Sequence, residues 1–215
     1  MERHAVSRST RIQVTEGMIH LLHAKSVLEL GAGDFSFKPV RCDAAWRMAD
    51  FALPCDVLCD FGSQYAKLPF KDASFDLVVC TEVLEHMLWP HNVLNEIYRV
   101  LEPGGNLVAS VPNIASITYR FAWLIGRIPS CAASANLPLE FGSTTYRHED
   151  GSLVGGHVVD FNYSRFVRLL DYCGFTVMKM AGCGIFWHKQ IIPHWLLPAS
   201  LSSNLIVLAR KPQPR

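Results

Sequence analysis

The stretch VLELGAGDFSF, Val27 to Phe37, decides how the chain is read. An apolar run ends in Glu29-Leu30, and two glycines one residue apart follow it at Gly31 and Gly33. Such a run reads as a short buried strand, and the glycines as a tight turn that brings main chain close to a ligand. A dinucleotide fingerprint would carry a third glycine, but Ser36 stands in its place, and no G-x-x-x-x-G-K-[ST] occurs anywhere. The turn therefore points to a bulky ligand approached without a phosphate cradle.

Working outward, CDVLCDF (Cys55 to Phe61), FDLVVC (Phe75 to Cys80) and NLVASV (Asn106 to Val111) are apolar on both faces, as in parallel strands covered by helices. Between the last two, Val93, Leu94, Ile97, Val100 and Leu101 form one helical stripe, with Pro103-Gly104-Gly105 as its stop. Thr10 to Ala24 reads as a helix. Phe166, Leu169, Leu170 and Cys173 mark another, capped by Asn162 or Ser164 and ended by Gly174 before a strand from Phe175 to Met180. Asn204 to Arg210 is the last strand. The alternation is interrupted from Pro112 to Val158.

The 215 residues suit one domain with an insertion. Half are hydrophobic, 18% are charged and the formal net charge is +1, so a globular protein without a nucleic-acid footprint is expected. The seven cysteines make no C-x-x-C and no paired Cys/His spacing of the zinc type; they read as reduced thiols, and no metal is expected. Charged residues and prolines interrupt both Met1 to Leu30 and Gly184 to Leu208, which predicts a soluble, cytoplasmic chain.

LELGAG, LPFKDASFDLVV, TEVLEHM and RVLEPGG, in that order between Val27 and Asn113, resemble the class I S-adenosylmethionine-dependent methyltransferases, in the group with an LPF…FD…VLEH…RVLxPGG series. The resemblance implies a Rossmann-like α/β fold, a seven-stranded, mostly parallel sheet with an antiparallel last strand and helices on both faces. It implies S-adenosylmethionine as cofactor and a single domain over 1–215, with 112–156 as an acceptor-binding cap.

Carried over position by position, the resemblance implies that Glu29 meets the methionine ammonium and that Gly31, Ala32 and Gly33 approach the ligand. Asp43 would grip the ribose hydroxyls, and Asp60 (or Asp56) with Phe61 would meet the adenine. Cys80, Thr81 and Glu82 would line the strand end beneath it. Each has a plain structural alternative, such as a turn cap, a turn glycine or a surface acid. Phe35 stands where many members have a third glycine.

Methyl transfer needs alignment and, only for a protic acceptor, a base. His157, His86 and His148 are the candidate catalytic residues, with Tyr146 beside the last; His86 would share a helical face with Glu82 if TEVLEHM is coiled. Tyr119, Phe121, Trp123, Leu124 and Ile125 read as core, or as an apolar acceptor pocket or membrane-facing patch. A small-molecule acceptor is expected, such as a glycan, a lipid-linked sugar or a secondary metabolite, with oxygen as the guessed atom. Membrane-surface binding is not expected, and oligomeric state is not fixed. The rival readings are a non-catalytic methyltransferase-like binding protein and, further off, a nicotinamide-dependent oxidoreductase.

Overall fold

The computed structural model describes residues 10–33, 35–39, 43–52, 54–129, 131–132, 146–147, 153–154, 156–184 and 198–214. Seven strands form one sheet: β1 (Ser26–Leu30), β2 (Ala45–Asp50), β3 (Val57–Leu58), β4 (Phe75–Thr81), β5 (Leu101–Pro112), β8 (Thr176–Cys183) and β9 (Asn204–Arg210). Their order is β3-β2-β1-β4-β5-β9-β8, and β9 alone runs antiparallel to its neighbours. A separate two-stranded ladder pairs β6 (Tyr146–Arg147) with β7 (Leu153–Val154). Among the described residues, four α-helices accompany them: α1 (Thr10–His20), α2 (Pro90–Val100), α3 (Ile117–Leu124) and α4 (Tyr163–Tyr172).

The two-residue period of a strand sorts the core into two layers. Leu28, Leu30, Val78 and Cys80 share one cluster with Val93, Leu94 and Ile97 of α2 and with Phe166 and Leu170 of α4. Val27, Leu77 and Val79 point the other way and join Met18 and Ile19 of α1 with Trp46 and Phe37. Each fully buried Leu or Phe contributes about 1.5–3 kcal/mol of transfer free energy. β1 and β4, apolar except at Ser26, Glu29, Asp76 and Thr81, are buried on both faces.

The helical stripe is buried at Val93, Leu94, Ile97 and Val100, with Pro90 in the first turn, where its missing N–H costs nothing. The helix ends at Val100, before the Pro-Gly-Gly stop, because Leu101 turns extended (φ −72°, ψ 139°) and starts β5. At α4 the Asn162 side chain accepts a hydrogen bond from the Arg165 amide (2.8 Å), and Gly174 closes the helix at φ +86°. A Cβ at Gly174 would also press on the Tyr98 ring at 3.2 Å.

Two expectations fail. The run Cys55 to Phe61 yields only the two-residue β3, and it is third in order, because Ala45–Asp50 intervenes as β2. Arg47 and Asp50 hid that strand from a search for continuous apolar runs. Nor is TEVLEHM an α-helix: Glu82 sits at φ +55° and only Leu84–His86 coil, as one 3-10 turn, so Glu82 and His86 share no helical face.

The motif LPFKDASFD has a structural explanation. Arg99 of α2 donates to the Leu68 and Phe70 carbonyls (3.0 and 2.9 Å), to Asp72 (2.6 Å) and, through two nitrogens, to Glu96 (2.8 and 2.7 Å). Glu96 in turn accepts from the Leu68 amide at 2.8 Å. Burial alone would raise the Glu96 carboxyl, but these hydrogen bonds outweigh it and hold it below its ordinary value. The Arg99 hydrogen bond holds Asp72 low as well. The loop before β4 is thus clamped to α2.

Candidate active site

The chain runs from β1 towards one edge through β2 and β3, then restarts at β4 on the other side of β1. The sheet's topological switch point is therefore the β1/β4 boundary, and open parallel sheets bind ligands beyond the carboxyl ends of their strands at such a point. Gly31, Ala32, Gly33, Asp50, Thr81 and Glu82 all leave the strands there.

The two glycines differ. Both have positive φ, +65° at Gly31 and +51° at Gly33. A Cβ on Gly31 would run into the Val83 side chain, so that residue is glycine for packing. Around Gly33 nothing lies within 4 Å of the Cβ position, so its main chain faces open space. Ala32 joins the two; its carbonyl accepts from the Phe35 amide at 3.0 Å.

Glu29 is 2% exposed and faces the α1 side of the sheet. Its oxygens accept from Ser36 Oγ (2.6 Å), the Phe37 amide (2.9 Å) and Trp46 Nε1 (2.9 Å). Burial pushes its carboxyl up, and those three hydrogen bonds pull back. This acid ties the loop after β1 to β2, where related folds place a helix. Phe35 does not enter the core: its ring is half exposed and packs edge-on against Phe37, centroids 5.1 Å apart.

Asp43 stands before β2 rather than after it. It is exposed and lines an open hollow with Ile19, His20 and Trp46 at the amino ends of the strands, away from the switch point. The acid that closes β2 is Asp50, 5% exposed and 17 positions beyond Gly33. Its Oδ2 accepts from the Gly33 amide (3.0 Å) and its Oδ1 from the Phe51 amide (2.7 Å). An acid about 20 residues past the glycine turn is the spacing that could have found it.

Asp60 is exposed at the end of the β3 segment, where Oδ1 accepts from the Gly62 amide (2.8 Å) and caps a turn. Phe61 is 4% exposed and belongs to the core cluster, so its ring is not presented to a ligand. Phe51, directly after Asp50, is 59% exposed instead. Asp56 accepts from the Met48 amide at 2.9 Å and serves the β2–β3 pairing.

Cys80 is fully buried, and burial, then the Glu85 charge, pushes its thiol far up, which makes it a packing residue. Thr81 pairs with Ser110 at the end of β4. The Glu82 carboxylate accepts from Ser110 Oγ (2.7 Å) and Asn204 Nδ2 (3.1 Å), with Arg11 4.0 Å away. A side chain held by β5 and β9 explains the left-handed backbone of a non-glycine residue at the switch point.

His86 and His157, 71 positions apart by numbering, come together: their rings meet edge to face with centroids 4.9 Å apart. His157 is 6% exposed, and its Nδ1 lies 2.8 Å from the Cys131 carbonyl, which makes Nδ1–H the donor. Glu85 lies against them. It was not anticipated from sequence: it is 1% exposed, and neither of its carboxylate oxygens has a hydrogen-bond partner. His148 lies outside the described residues, and only the backbone ladder of Tyr146 is described.

Helix α3 buries no residue among those described. Phe121, Trp123 and Leu124 are 63%, 53% and 82% exposed, which overturns the core reading of that aromatic stripe. No described helix is long and apolar enough to cross a membrane.

Known proteins match this frame. The family described as "Methyltransferase domain" matches residues 5–109, and that of "Methionine biosynthesis protein MetW" matches residues 62–161. A protein named "Probable S-adenosylmethionine-dependent methyltransferase" from Mycolicibacterium smegmatis is 30% identical over 110 residues, 46% of this chain and 43% of its own. The ubiquinone/menaquinone biosynthesis C-methyltransferase UbiE of Desulfotalea psychrophila is 31% identical over 153 residues, 65% of this chain and 59% of its own. The chain thus spans about half the length of these curated relatives. In structure, the 1,6-didemethyltoxoflavin-N1-methyltransferase of Burkholderia thailandensis, solved with 1,6-didemethyltoxoflavin and S-adenosylhomocysteine, superposes with TM-score 0.54 at 17% identity, covering 96% of this chain and 80% of its own. In sequence the chain is thus similar, over about half of its length, to S-adenosylmethionine-dependent methyltransferases, and it shares their fold.

Proposed function

We propose that this protein transfers a methyl group from S-adenosylmethionine to a small-molecule acceptor, with the donor's nucleoside lying across the carboxyl ends of β1, β2 and β4. The observation that carries the reading is the pairing of Asp50 with Gly33: a sheltered carboxylate hydrogen-bonded to a main-chain turn that faces empty space. A carboxylate has about four acceptor sites; beyond the Gly33 and Phe51 amides, Asp50 keeps one lone pair on Oδ2 and a second on Oδ1 held only by a long 3.4 Å contact from the Ala52 amide, and two ribose hydroxyls would take up these two. The open space at Gly33 lets a ligand lie against the main chain of the turn, and the acids nearby suit a ligand with positive charge on sulfur and nitrogen.

When bound, the donor supplies a methyl group on a sulfonium, which any aligned nucleophile can displace. The chain's own part is placement. Asp50 fixes the ribose, the exposed Phe51 ring offers a face to the purine, and the remaining oxygen of Asp60 accepts from an exocyclic amine. Glu29 acts on the ligand through the loop it holds. Thr81 and Glu82 set the floor, and the Glu82 side chain is already committed to Ser110 and Asn204.

The acceptor side is assigned to His86 and His157, with the apolar face of α3 as the wall of a cap over 112–156. With Nδ1–H given to the Cys131 carbonyl, His157 presents Nε2 as its acceptor nitrogen. Two imidazoles beside the reacting position favour an oxygen nucleophile, whose proton must leave, over carbon or a neutral amine.

Titration calorimetry with S-adenosylhomocysteine, followed by incubation of the protein with donor labelled in the methyl group and a fractionated cell extract, tests this. Saturable binding and label in a small-molecule fraction are expected. Absence of any heat at millimolar ligand would remove the nucleotide reading, whereas binding without label transfer would favour a non-catalytic protein.

A further inference from the structure

Among the described residues, Glu85 is a buried carboxylate left without a hydrogen-bond donor. Glu29 and Asp50, also buried, are met by hydrogen-bond donors, whereas both oxygens of Glu85 are sealed from solvent with none. Leaving an ionised carboxylate in that condition costs several kcal/mol, so the folded protein must place a positive group or a proton against it.

We propose that Glu85, His86 and His157 bind one divalent transition-metal cation, with coordination positions left for an oxygen of the acceptor. Each residue offers one ligand atom, and the three lie within 4.8 Å of one another. Two imidazole nitrogens and a carboxylate around a cation with bonds of about 2.0–2.2 Å sit roughly 3–3.5 Å apart, a closure that side-chain rotation supplies.

Two further observations favour a built site. The Nδ1 of His157 is engaged by the Cys131 carbonyl, the arrangement that fixes the tautomer and aims the other nitrogen at a metal. The Glu85 carbonyl accepts from the amides of Val158 (2.8 Å) and Val159 (3.1 Å), so the backbone after His157 is pinned to the residue that carries the carboxylate.

The donor set selects the cation. Two nitrogens and one oxygen suit Zn²⁺, Mn²⁺, Fe²⁺ or Co²⁺, whereas Ca²⁺ and Mg²⁺ prefer all-oxygen shells. Three protein ligands leave at least one position open, as in catalytic rather than structural sites. That position fits a hydroxyl or carbonyl oxygen; with the cation bound, Nε2 of His157 is a ligand and no longer the base, and the cation itself would lower the hydroxyl's pKa so that its proton leaves to water. Only this last point rests on the methyltransferase reading; the cation site stands without it.

The test is calorimetry of the chelator-treated full chain with ZnCl₂, MnCl₂ and MgCl₂, alongside metal content measured after dialysis. One Zn²⁺ or Mn²⁺ per chain is expected, with binding at least about tenfold weaker in His157→Gln and in His86→Gln, and with no comparable Mg²⁺ binding. Should either variant fold poorly, the wild-type stoichiometry and the other variant decide. Absence of saturable one-to-one binding, or binding that both glutamine variants preserve, overturns the proposal and leaves a protonated Glu85 in its place. S-Adenosylhomocysteine titrated into the same metal-free protein separates the two ideas, since retained heat there with no metal bound sinks the cation alone.

Discussion

Replacing Asp50 by asparagine leaves the shape of the strand end nearly unchanged and removes one oxygen and the charge. In the folded protein one oxygen meets the Gly33 amide and the other the Phe51 amide, so an asparagine must turn its NH₂ towards one of these donors. A hydrogen bond to a charged acceptor contributes about 1.5–3 kcal/mol, and an orphaned buried donor costs about 1–3 kcal/mol. Without ligand, the variant should lose about 1–2 kcal/mol, which for a chain of this size is a melting temperature lower by roughly 2–8 °C. With ligand, two charge-assisted bonds to ribose hydroxyls become one neutral acceptance and one unfavourable pairing, a loss of about 3 kcal/mol, or roughly a hundredfold in affinity. Calorimetry with S-adenosylhomocysteine reads the second figure and a thermal melt the first. An Asp50→Asn protein that melts lower but binds within about threefold of wild type would show that the carboxylate serves the turn and not the nucleoside.

Gly31→Ala and Gly33→Ala should part company: the first drives a methyl into Val83 and should lower the melting temperature most, whereas the second meets no atom, adds about 1–2 kcal/mol of left-handed strain and should weaken ligand binding disproportionately. Equal effects of the two on affinity, after correction for stability, would remove the distinction drawn between them. Arg99→Met should cost about 1–3 kcal/mol at pH 7 in urea denaturation, since several loop and helix hydrogen bonds are lost together. Asp72 and Glu96 are held below their ordinary 3.8 and 4.5, so their share is complete above those values and fades as pH falls through the folded ones. The gap between variant and wild type should therefore narrow below about pH 4 without vanishing, because the bonds to the Leu68 and Phe70 carbonyls do not titrate; a constant gap would refute the carboxylate part.

Elements whose burial follows a strict period were legible in the sequence. β1, β4, α2, α4 and β9 stand where apolar runs or stripes place them, since both faces of a parallel strand and one face of a helix must be covered. β2 was not legible, because Arg47 is exposed, Asp50 is a buried acid at the strand end, and a six-residue strand with two charges has no distinctive pattern. That one miss put Asp43 where Asp50 stands as the acid at the end of the second strand. The identity of Phe61 as an interior residue depends on which side the short β3 segment turns, which no local pattern encodes. Glu85 escaped for a different reason. A glutamate inside VLEH looks like any other, and only the three-dimensional meeting of that turn with the segment at His157 reveals a carboxylate sealed without donors.

The three-way grip on Glu29 also sets an order of assembly. Ser36 and Phe37 come from the turn, Trp46 from the neighbouring strand, and the acid from β1, so the nucleotide-facing bend takes its shape only once β2 has paired. A nascent chain that has emerged only as far as the glycines holds no competent pocket. Ligand capture must then follow the docking of β2 onto β1 during folding, and cannot serve as the nucleus that brings it about.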